Sequence, residues 1–244
     1  MSEHSHRRVL AVVSGALLGT ILCTTSASAG QVDEGALARG GKLYDKWYKV
    51  VGADAPKKSH PAYPADKKYA AKPKSNWRCK ECHGWDYMGK DGAYSSGKHS
   101  TGIVGINGMA GAEPATIVAV LKDDTHGYAG KMEDQDFNDV AHFVSQGQVD
   151  MNKYIDRATK APIGGDPAKG KAYFETMCVG CHSTDGTKPK DMGKTLGAQM
   201  GNPWEVMHKI LNGQPDEKMP ALRALPRQVA VDLLAHIKTL PKKR

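Results

Sequence analysis

Cys79-Lys80-Glu81-Cys82-His83 and Cys178-Val179-Gly180-Cys181-His182 repeat one pattern, Cys-x-x-Cys-His, in a chain of 244 residues. Two residues between the thiols let a single turn of chain reach both vinyl groups of a porphyrin. The next imidazole is then directed under the metal, so the pattern reads as covalent haem attachment. Three other readings compete. A redox-active dithiol needs neither a second copy nor a histidine in register, and a disulfide framework would not choose two identical spacings. A zinc site built from both pairs would leave the two matching histidines unexplained. The expectation is therefore two covalently bound haem c groups, one on Cys79, Cys82 and His83 and one on Cys178, Cys181 and His182.

The N-terminus makes the cysteine count consistent with this. A basic start at His6-Arg7-Arg8 precedes an apolar run from Val9 to Cys23 and the small-x-small triplet Ala27-Ser28-Ala29. Residues 1–29 thus read as a secretory signal peptide cleaved near Ala29, the apolar run being short for a membrane span. The bulky Leu22 argues against Cys23 as a lipoprotein cysteine, so Cys23 leaves with the signal. Twin Arg7-Arg8 would suit export of a folded protein, but haem attachment outside the membrane favours export unfolded. The mature chain keeps four cysteines, all in the two motifs, and is expected in the periplasm.

Composition narrows the classes further. Charged residues make up 25% of the chain and mean hydropathy is −0.51, which excludes a polytopic membrane protein. Three Phe, four Trp and nine Tyr are a thin supply for one large core, as expected if porphyrin supplies part of it. The net positive charge does not imply a nucleic-acid partner, because the protein reads as exported.

Two such motifs, each followed by apolar helical segments and a candidate methionine, resemble the dihaem class I c-type cytochromes. The likeness is tightest from Asp166 to Leu240. It implies an all-α fold of two tandem class I cytochrome c domains, each wrapped around one covalent haem with an axial methionine on the loop before the last helix. The divisions are 30–150 for the first domain, 151–165 for a linker ending in Pro162-Ile163-Gly164-Gly165, and 166–244 for the second domain.

In the second domain Asp166-Pro167 and Asn202-Pro203 read as helix starts, with the proline at the first helical position. Trp204, Met207, Ile210 and Leu211 form one apolar stripe that leaves out Val206, and Asn212-Gly213 is a stop. A last helix starts near Pro226. Met219-Pro220 falls between these helices, where the resemblance places the axial ligand, whereas Met192 and Met200 fall elsewhere.

The first domain follows the plan with changes. Helices are expected from Gly35 to Val51, from Glu113-Pro114, and from Asp134 to Val144. Met132 is the positional counterpart of Met219. Met132 is therefore the expected sixth ligand, but it is followed by Glu133 rather than proline and His126 lies six residues earlier, so His126 and an open site stand as alternatives. His99, Met88 and Met109 are lesser candidates. His60, His142, His208 and His236 read as surface or core residues. An insert at 52–77, rich in Lys and Pro, reads as an extended loop. Residues 35–80 carry twelve basic and three acidic groups, and residues 81–150 four and eleven. This reads as two solvated faces or as a docking surface that steers a charged partner.

The expected function is periplasmic electron transfer between redox partner proteins whose identity the sequence does not give. It favours a carrier over an enzyme. The rivals are a dihaem oxidoreductase of thiosulfate-oxidising or peroxidase-like type, and a cytochrome subunit of a larger membrane-associated oxidoreductase. The thiosulfate-oxidising form is weakened because no cysteine outside the two motifs remains to serve as a thiolate ligand, while an open first haem keeps the other form standing. The subunit reading leaves peripheral membrane association open.

Overall fold

The computed structural model describes residues 33–244, and the expected signal peptide lies outside them. Among the described residues the chain forms ten α-helices and no strand, only the isolated bridges Gly89–Val104 and Ile155–Pro162. In order these are α1 (Glu34–Val50), α2 (Pro73–Asn76), α3 (Cys79–His83), α4 (Pro114–Lys122), α5 (Asp134–His142), α6 (Pro167–Met177), α7 (Val179–His182), α8 (Leu196–Gln199), α9 (Pro203–Asn212) and α10 (Arg227–Ile237).

Local chemistry explains several boundaries. Proline opens α4, α6 and α9, where its missing N–H would have had no partner. The Asp166 carboxylate accepts the Ala168 and Lys169 amides at 2.9 and 3.2 Å, capping α6. Asn202 precedes α9 but its side chain does not cap it; instead its amide donates to Glu205 at 3.1 Å. Gly213, at φ +83°, stops α9 in the left-handed region that glycine tolerates.

The two halves use the same helix crossing. Helix α1 packs on α5 and α6 on α10. A Cβ on Gly40 would collide with the Asp139 carbonyl, and one on Gly170 with the Asp232 carbonyl. Each glycine lets two backbones approach more closely than a side chain would permit. Helix α1 breaks at Lys46, where the Arg78 guanidinium takes the Asp45 carbonyl at 2.7 Å.

Tertiary packing departs from the expectations at three places. The insert is not an extended loop: His60, Tyr63, Asn76 and Trp77 are buried in it, and the Asn76 amide donates to the Tyr69 and Ala70 carbonyls at 3.0 Å each. The stretch 151–165 is not a bare spacer, since Met151 and Ile155 are buried in the core. Val206 is buried as well, because α9 packs against α1 in addition to α10. The described residues, 33–244, accordingly make one compact unit in which the two halves share a core.

Across that shared core, Asp45 is buried and bonded to Arg78 and to Lys209, the latter at 2.7 Å. Burial alone would raise its carboxyl, but the charges of Lys209 and Arg78 hold it well below the usual carboxylate range.

Candidate haem sites

The first motif lies on α3. Two residues before Cys79, the Trp77 carbonyl accepts hydrogen bonds from Trp47 Nε1 and from the Tyr128 hydroxyl, both at 3.0 Å. The Tyr128 oxygen also lies 4.0 Å from Cys79 Sγ. These bonds tie the start of the motif to α1 and to the loop after α4. Burial pushes the Cys79 thiol up to about 11 and the Cys82 thiol up to about 12. Redox-active dithiols are shifted the other way. Among the described residues no three His, Cys, Asp or Glu side chains gather as metal ligands, so the two cysteine pairs do not converge on one zinc.

The His83 ring is held by Nδ1–H donating to the Val104 carbonyl at 2.7 Å. The imidazole facing it belongs to His126, with ring centroids 6.4 Å apart and planes 20° from parallel. The Asp123 carboxylate places His126, accepting its backbone amide at 2.8 Å and its ring Nδ1–H at 3.1 Å. His60 holds the same residue from the other side: its Nε2–H donates to the His126 carbonyl at 2.9 Å while its Nδ1 accepts the Ala62 amide at 3.2 Å. Met132 is half-buried and packs against the apolar core.

Sequence reasoning missed His60 and Asp123. Asp123 had a signal, a carboxylate three residues before a histidine. His60 had none, because its role depends on how the insert folds back.

The second motif spans the end of α6 and α7. Cys178, Cys181, His182 and Met219 all line one cavity of about 1410 Å³. This exceeds the ~300–1,000 Å³ common for small-molecule sites. The His182 ring is oriented by Nδ1–H donating to the Lys188 carbonyl at 3.0 Å. Burial pushes the Cys178 thiol up to about 11. The first half also contributes lining: Ala38, Lys42, Lys46 and Val50 of α1, and Arg78, the residue before Cys79.

Both places suit a haem. The second cavity is large and apolar around its cysteines, and it has a cationic wall that matches propionate carboxylates. At the first, the Tyr63 and Tyr94 hydroxyls are buried without a partner. Burial, with Glu81 and Cys82 beside it, pushes the Tyr63 phenol up to about 12. Orphaned donors next to the motif are what a bound acidic group would satisfy.

Residues 165–237 match the family described as cytochrome C oxidase, cbb3-type, subunit III. That stretch runs from just before α6 to the end of α10. No curated protein matches the chain. Among solved structures, a chain of the reducing HAO-like protein complex of Kuenenia stuttgartiensis covers 78% of this chain and 100% of its own length. Its identity is 12% and its TM-score 0.31, too remote to bear on the argument. The family match and the helical architecture of the described residues support a c-type cytochrome with covalently held haem.

Proposed function

We propose that this protein is a dihaem electron-transfer protein of the periplasm, composed of two fused cytochrome c units that relay single electrons between redox partner proteins. The observation that carries the reading is the second cavity, which Cys178, Cys181, His182 and Met219 all line. The first half repeats the arrangement of motif and crossing helices around Cys79, Cys82 and His83.

When bound, haem supplies a redox centre that takes up and gives back one electron. The chain does the rest. Cys178 and Cys181 would hold the macrocycle by thioether bonds, His182 would supply a nitrogen ligand with its ring fixed by the Lys188 carbonyl, and Met219 would supply sulfur. A thioether favours ferrous iron, and His/Met ligation raises the potential. Phe174, Leu233 and Ile237 give the same cavity an apolar lining. Arg78, the residue before Cys79, also lines this cavity, so the chain leading into the first motif reaches the second site.

Reductive titration of the holoprotein tests this reading. Uptake of two electrons per chain, with no turnover of peroxide or thiosulfate, supports it. Catalytic consumption of either compound would make the protein an enzyme and overturn it.

A further inference from the structure

The gap between His83 and His126 is larger than a stacking contact. The His99 ring stacks on Tyr69 and on Tyr94 with centroids 4.9 Å apart in both cases. His83 and His126 stand 6.4 Å apart with planes still within 20°. A nitrogen ligand sits ~2.0–2.1 Å from a metal and the centre of an imidazole about 1.1 Å behind that nitrogen, so two rings sharing one ion are separated by roughly 6.3 Å.

The tautomers agree. His83 uses Nδ1–H on the Val104 carbonyl and His126 uses Nδ1–H on the Asp123 carboxylate. Each ring therefore keeps Nε2 as its free lone pair. A carboxylate or carbonyl on the far nitrogen is the usual partner of a metal-bound imidazole, fixing its orientation and raising its basicity.

We propose that the first haem is ligated by two histidines, His83 and His126, rather than by His83 and Met132. His60 and Asp123 act as positioning residues for His126, one through its carbonyl and the other through its amide and ring. The proposal rests on the dihaem reading and deepens it. Two nitrogen ligands leave the first haem at a lower potential than the His182/Met219 haem. The two centres are then unequal by construction.

The test uses the holoprotein and its Met132→Ala, Met219→Ala and His126→Ala variants, each first checked for two covalent haems per chain. That count judges the dihaem reading on its own and leaves the ligand question to the spectra. The oxidised wild type is expected to show the methionine-to-iron charge-transfer signal of one haem only. Met219→Ala removes it and Met132→Ala leaves it unchanged. His126→Ala converts one haem from no detectable carbon monoxide binding to stoichiometric binding.

If His126→Ala fails to fold, His126→Met is the second variant. It is expected to add a second methionine signal and to raise the lower of the two potentials. Loss of any part of the charge-transfer signal in Met132→Ala would overturn the assignment. So would unchanged spectra and absent carbon monoxide binding in a folded His126→Ala protein, or an unchanged lower potential in His126→Met.

Discussion

The Tyr87 hydroxyl donates a hydrogen bond to Nδ1 of His208 at 2.8 Å, joining the two halves inside the core. His208, on α9, completes the link by donating from Nε2 to the Gly41 carbonyl of α1 at 2.9 Å. Both side chains are buried, so each lost partner would leave a polar group unsatisfied. His208→Ala is expected to cost about 3 kcal/mol, from the unpaired groups and the void. Denaturant unfolding followed by tryptophan fluorescence measures it, and a cost below about 0.5 kcal/mol would mean the link is not structural.

The same histidine makes stability depend on pH. Burial pushes its imidazole down to about 3, with Lys209 adding to the shift and Asp45 opposing it. The folded state thus keeps His208 neutral where the unfolded chain protonates below pH ~6.5. Its contribution is fully present above pH ~6.5 and is lost as the pH falls toward 3, with a limiting slope of about 1.4 kcal/mol per unit. Unfolding free energies of the wild type and His208→Gln, compared from about pH 7 to about pH 4, should converge on acidification. Parallel curves would refute the linkage.

The paired glycine crossings predict equivalent effects in the two halves. A methyl group on Gly40 or Gly170 meets a backbone carbonyl, which cannot swing aside as a side chain would. Each Gly→Ala change is expected to cost ~1–3 kcal/mol by overpacking. Thermal melting of the single variants, against Gly108→Ala as a control at an open glycine without a positive φ, separates crowding from the backbone effect of replacing glycine.

Much of this arrangement is legible in the sequence because its determinants are local. Proline at the first turn of α4, α6 and α9, and the fixed spacing within each Cys-x-x-Cys-His, act over a few residues. The remainder depends on partners far along the chain. His60 and Trp77 look like parts of a hydrophilic insert until the insert folds onto the His126 loop, where their rings pack 4.3 Å apart. Val206 falls outside the stripe of Trp204 and Met207 because a periodicity argument assumes one buried face. Helix α9 has two, one against α10 and one against α1. Met132 was the natural counterpart of Met219 by spacing, whereas the ring opposite His83 is set by a turn that Asp123 builds.

The cationic wall of the second cavity predicts an electrostatic effect on its haem. Lys42 and Lys46 reach this cavity from the first half, and positive charge nearby favours the reduced, less positive centre. Replacing both with Gln is expected to lower the potential of the His182/Met219 haem and to leave the other nearly unchanged, read by spectroelectrochemistry at low and high salt. Equal shifts at both haems would mean the wall acts on the whole molecule rather than on one site.

His60 provides a test of positioning that fold loss alone would not mimic. His60→Phe keeps the ring packed on Trp77 but removes the donor to the His126 carbonyl. It is expected to weaken the His126 ligand, seen as partial carbon monoxide binding at the first haem and a shift in its potential, with the second haem unaffected. An unchanged first haem would limit His60 to packing.

The claim that this chain carries two covalent haems is tested most directly by the intact mass of the denatured mature protein, alongside the Cys178→Ala/Cys181→Ala and Cys79→Ala/Cys82→Ala variants. The wild type is expected at the mass of the polypeptide plus two haems and each double variant at the polypeptide plus one. A wild-type mass with a single haem, unchanged when Cys79 and Cys82 are replaced, would contradict it.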